Sequence, residues 1–195
     1  MKSWKDITLK KAIELEQLGD MDKLDLIINQ YAIINDMTIE EVEKMTPNEL
    51  LESSKEYQFI LNMPEAKRTD FVKVNGRKYG LVEFSKMSLA QMVDIEEYYN
   101  SGVVSNAHKI LSVMMLPVKR HIPFMKVVLD DYEADEVREN DILQLDMELV
   151  WGNLLFFYLI EMKYMKDLLG YLQGQLRTAN QLEKLKELQK EVEKQ

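Results

Sequence analysis

Cysteine is absent from the 195 residues, and histidine occurs twice, as His108 and His121. Without thiols the chain forms no disulfide, no thiolate metal site and no cysteine nucleophile, which fits a reducing compartment. Neither histidine belongs to the regularly spaced set of three or four ligands that zinc takes, so packing or surface exposure is expected for both. Seven glycines leave little room for a nucleotide cradle, and neither a G-x-x-x-x-G-K loop nor a G-x-S-x-G elbow occurs. Clustered positive charge is missing too: 25 Lys and Arg stand against 34 Asp and Glu, a net charge of -9. That balance argues against nucleic acid, whose phosphates require grouped Lys and Arg. The most apolar run, LVWGNLLFFYLI from Leu149 to Ile160, is bounded by Glu148 and Glu161. It is well short of the ~20 residues a spanning helix needs, and the opening MKSWKDITLKKAIELEQL has no apolar stretch of signal-peptide length.

What is present is mostly helical periodicity. Leu24, Ile27, Ile28, Tyr31 and Ile34 recur on one stripe. Thr38 with Glu41, Thr46 with Glu49 and Ser88 with Gln91 have the spacing of reciprocal caps, and Pro47 suits a first helical position. The helix starting there is expected to run towards Asn62 and to stop before Pro64. VKVNGRKYGLV, residues 72–82, breaks the pattern: it alternates and turns on Asn75-Gly76, the strongest short-range hairpin signal. Folding about that pair sets Val74 opposite Arg77 and Val72 opposite Tyr79, with Val72, Val74, Tyr79 and Leu81 on one face. An isolated hairpin is marginal in water, so this one must lean on helices or on a partner. After it, LAQMVDIEEYYN reads as a helix ending near Gly102. NAHKILSVMML reads as another, closed by Pro117. PVKRHIPFMKVVL reads as a loop or short extended piece, and DDYEADEVREND as a short acidic helix. From about Leu143 the chain reads as helix almost to its end, with a break around Gly170 to Gly174.

Chemistry is harder to find. Asp130, Asp131, Glu133, Asp135 and Glu136 lack the glycine and the twelfth-position acid of an EF-hand, so a solvated acidic helix is expected. No two of the many acids stand out as a catalytic pair. No catalytic residue, cofactor or metal is therefore expected. Instead Met162 and Met165, with Leu154, Phe156, Phe157 and Tyr158, make residues 150–172 apolar on several sides, as an interface requires. The candidate partner-binding residues are Val72, Val74, Tyr79, Leu154, Phe156, Phe157, Met162 and Met165.

The order KVNGRKYGL, SLAQMVDIEEYY, NAHKILSVMMLPV, an acidic segment and LVWGNLLFFYLIEM resembles small morphogenesis proteins of tailed bacteriophages, tail assembly chaperones among them. The matching positions are Asn75, Gly76, Tyr79, Gln91, Asp94, Asn106, His108, Lys109, Pro117, Phe156 and Phe157, within residues 5–172. The resemblance implies a non-catalytic virion assembly protein. Its partners would be other phage structural proteins, such as tape-measure, tail or portal-proximal subunits, with self-association also open. Nucleic acid and membrane are not expected partners, and the place of action would be the host cytoplasm during assembly, or the virion. A permanent virion component, a cytoplasmic adaptor unrelated to phage, and an enzyme with an unrecognised acid pair stay open as alternatives. The expected fold is mainly α, a bundle-like multi-helix domain with one short β-hairpin near residues 71–82 and a long C-terminal helix. Its expected parts are an N-terminal helical segment (1–64), the hairpin with two helices (71–117), and an acidic segment with the C-terminal helical region (118–195).

Overall fold

A computed structural model of the protein describes residues 2–120, 127–160 and 163, and the chain divides into two compact units, Met1–Phe156 and Phe157–Gln195. Four helices come first: α1 (Leu9–Glu16), α2 (Lys23–Asn35), α3 (Ile39–Val42) and α4 (Pro47–Ser54), the last continuing as a 3-10 turn over Lys55–Leu61. The reciprocal caps form as their spacing dictates, with Thr38, Thr46 and Ser88 each exchanging bonds with the residue three positions on. The α2 stripe is realised only in part, since Ala32 and Ile34 are buried while Leu24 is exposed.

The hairpin forms in the expected register, β1 (Phe71–Val74) against β2 (Arg77–Leu81), with Val72 opposite Tyr79 and Val74 opposite Arg77. Both turn residues take positive φ, 48° at Asn75 and 78° at Gly76, as a two-residue turn of this hand demands. The expectation of a helical bundle with a solitary hairpin is nevertheless wrong. The hairpin is half of a four-stranded antiparallel sheet ordered β1-β2-β3-β4. Strand β3 (Met115–Arg120) lies beside β2, and β4 (Val128–Leu129) lies beside β3. Two helices, α5 (Leu89–Asn100) and α6 (Ala107–Met114), are inserted between β2 and β3.

The physical reason lies at Pro117. A proline cannot continue a helix and drives the residue before it into extended backbone. The helical stripe of α6 therefore ends at Met114, and the chain is already a strand at Met115. Proline inside a sheet is tolerated where its missing N–H is not needed. Here the Pro117 carbonyl faces β4 and accepts from the Asp130 N–H at 2.9 Å, on the side where β4 is only two residues long.

The core of the first unit is built around α6, which buries Ile110, Leu111, Val113 and Met114, and around α7 (Glu136–Ile142), which buries Ile142. The N-terminal segment is tied in by backbone bonds from Leu9 N to Leu145 O (2.8 Å) and from Met147 N to Ile7 O (2.9 Å). Residues 147–160 are helical and form α8; the expected break near Gly170 and the rest of the expected long C-terminal helix lie outside the described residues.

Helix α8 meets the connector before the hairpin at close range. A Cβ at Gly152 would stand 2.2 Å from the Lys67 carbonyl oxygen, and the neighbouring Asn153 Oδ1 accepts from the Thr69 N–H at 2.9 Å. Alanine gains about 1 kcal/mol over glycine in a helix interior, but overpacking against backbone costs about 2 kcal/mol, so the clash wins. Gly152→Ala is thus expected to lower the melting temperature, measured by circular dichroism. A raised one would show that the connector yields freely.

Candidate interaction cleft

Two features organise the surface around the sheet. The first is a buried carboxylate. Asp141 of α7 is 3% exposed and accepts hydrogen bonds from Asn75 Nδ2 (2.8 Å), Arg77 Nη1 (2.7 Å) and Tyr79 Oη (2.5 Å). Arg77 and Tyr79 are two apart on β2 and so share a face, while Asn75 is the first turn residue. The turn and strand of the hairpin are thereby fixed to one helical side chain. Burial works against ionisation of Asp141, but the bonds from Tyr79, Asn75 and Arg77 outweigh it and hold the carboxyl below its ordinary 3.8. Tyr79 goes the other way: burial, reinforced by its bond to Asp141, pushes the phenol up to about 12.

The second feature is an open cleft of about 770 Å³ on the opposite end of the sheet strands. Its apolar lining includes Phe71, Leu81, Leu116, Val128 and Leu129, drawn from all four strands. Leu129 reaches across to β2, where a Cβ on Gly80 would stand 2.6 Å from its Cδ2, and Phe71 lies against the same spot. Phe71 and Val128 are 38% and 48% exposed, so two large apolar side chains present themselves at the lips. Tyr132 also lines the cleft, its hydroxyl donating to Asp94 Oδ2 on α5 at 2.5 Å. Behind it the buried Arg138 donates to the Glu133 carbonyl and lies 5.8 Å from the Tyr132 ring. Burial, then Asp94, raises the Tyr132 phenol well above its ordinary value.

Six of the eight partner-binding residues nominated from sequence lie among the described residues. Val72 and Tyr79 are buried, at 5% and 1% exposure, and Val74 is half-buried. Leu154 and Phe156 are half-buried, Phe156 beneath the Arg68 guanidinium at 4.4 Å, and Phe157 is 8% exposed. Met162 and Met165 lie outside the described residues. Of the resemblance motif, Asn75 and Tyr79 hold Asp141, Asp94 holds Tyr132, and Gln91 donates from its Nε2 to the Val113 carbonyl at 2.9 Å.

His108 is half-buried with its Nδ1 unpartnered; burial lowers its pKa, opposed by the Glu139 carboxylate. His121 lies outside the described residues. Among the described residues no group of three or more His, Asp or Glu is placed to hold a metal ion, and no helix is long and apolar enough to cross a membrane. Sequence reasoning missed Asp141 and the cleft. Nothing local distinguishes Asp141 from the neighbouring acids, and the cleft depends on β4 pairing with β3.

Removing a buried, multiply bonded carboxylate strands its donors, so Asp141→Ala is expected to destabilise the fold by about 3 kcal/mol in urea unfolding. The half-exposed Arg77 contributes little of this, and the Tyr79 bond most. Because the folded-state pKa of Asp141 is depressed, its contribution is present above the unfolded value of 3.8 and is lost as pH falls through the folded one. Asp141→Asn should flatten that acid limb; an unchanged limb would place the acid sensitivity elsewhere.

Comparison of the chain with protein-family models, with characterised proteins and with solved structures finds no match in any of the three.

Proposed function

We propose that this protein works by binding another polypeptide and catalyses no reaction, and that the setting is virion assembly in a tailed phage, in the manner of a tail assembly chaperone. One observation carries the binding part: the open cleft with an apolar floor and exposed apolar lips at Phe71 and Val128. Apolar surface of this kind on an otherwise charged protein is where a partner gains most from contact. Six charged side chains around it are engaged in pairs: Arg68 with Asp70 at 2.8 Å, Lys86 with Glu83, and Lys119 with Asp130 at 3.3 Å. Such pairs suit a solvated rim better than an acid and base poised for proton transfer.

The phage setting rests on the order of motifs along the chain. Asn75, Tyr79, Gln91 and Asp94 are used to hold the sheet and α5 in place, which fits a family whose shared residues mark a fold more than a reaction. A chaperone would cover apolar helices of a long structural protein until the subunits around it polymerise.

Co-expression with the products of neighbouring genes tests this. A long helical partner should stay soluble only with this chain and co-elute with it, and purified virions should lack the chain by mass spectrometry. Fixed copies in the virion would instead make it a permanent component. Gene neighbours with no role in virion structure, together with turnover of a small molecule, would overturn the proposal altogether.

A further inference from the structure

Resting on the binding reading above, we infer that the cleft is specific for a polypeptide segment in which a lysine or arginine stands among apolar side chains, recognised through side chains and not through strand addition to β3. Four carboxylates line the cleft, Asp70, Glu83, Asp130 and Asp131, against Arg68 and Lys86 in the lining and Lys119, which pairs with Asp130 at the rim. Asp131 is the carboxylate left in excess, and on a chain of net charge -9 it keeps the potential at the cleft negative. Asp131 is exposed and takes part in none of the three ion pairs around the rim. It lines the cleft together with its chain neighbour Tyr132 and with the apolar Leu129, so a carboxylate and apolar surface share one cleft. A floor of Leu81, Leu116 and Leu129 takes up the apolar neighbours.

Strand addition to β3 fails on the inventory of its backbone groups. Beyond the end of β4, the β3 edge would have to supply N–H donors to a new strand. The Met115 N–H already donates to the Leu111 carbonyl, and Pro117 has none. The Pro117 carbonyl is occupied by Asp130. A stretch of β3 without free donors cannot template a strand, so a segment entering there is held by its side chains.

Two dye-labelled short peptides of equal leucine and valine content, one carrying lysines and one glutamates, test this by fluorescence anisotropy with the full chain. The lysine peptide should bind more tightly, with an advantage that shrinks as salt rises. Asp131→Lys should weaken it about tenfold, whereas Glu40→Lys, the same charge change on exposed α3, should leave it near the wild-type value. Circular dichroism confirms that both variants fold. Equal binding of the two peptides, displaced by mutation at the cleft, would overturn the charge specificity and leave the binding reading standing. Equal weakening by both lysine substitutions would also overturn it, because the effect would then belong to net charge. No binding of either peptide by folded protein would remove the cleft as a site, and the binding reading with it.

Discussion

A single buried carboxylate governs how this sheet meets its helices. A two-stranded hairpin has too little apolar area to hold itself in water, and the turn residues Asn75 and Gly76 only decide where it bends. Asp141 supplies what the turn cannot. It accepts from the turn, from Arg77 and from Tyr79 at once, and it sits on α7, whose neighbour Ile142 is fully buried in the core. The hairpin is thereby referenced to a rigid helix. An unpaired charge in that place would cost several kcal/mol, so partial engagement is disfavoured and the arrangement is close to all-or-none.

Once β2 is fixed, the remaining strands follow. Tyr79, Gly80 and Leu81 align Pro117, Leu116 and Met115, and β3 in turn aligns the short β4. The brevity of β4 is what opens the cleft, because the chain leaves the sheet at Asp130 while β3 continues beneath. Two opposite properties of one sheet thus share a cause: the end near Asp141 is closed by hydrogen bonds, and the end near Asp131 is an open cleft.

Local chemistry was legible in the sequence, and distant chemistry was not. The caps at Thr38, Thr46 and Ser88, the hairpin turn and its register all depend on residues within a few positions of one another, and all appear as their spacing implies. Strand β3 escaped because MMLPVKR continues an apolar helical stripe, and only the extended bias before Pro117 signals the switch. Asp141 escaped because six other acids between Asp130 and Glu139 look equally suited to solvent. The apolar face of the hairpin was read correctly as a surface needing cover, yet the same pattern serves an internal core and an external partner. Val72 and Tyr79 are buried within this chain, while the exposed apolar lips, Phe71 and Val128, belong to positions that periodicity did not single out.

Energetic coupling between the hairpin and α7 anchors the sheet, and a double-mutant cycle reads it directly. Tyr79→Phe, Asp141→Asn and the double variant, each unfolded in urea, should give a coupling energy of about 2 kcal/mol, near the upper range for residues in contact. A coupling energy indistinguishable from zero would mean that the carboxylate does not hold the hairpin, and the sheet built upon it would need another anchor.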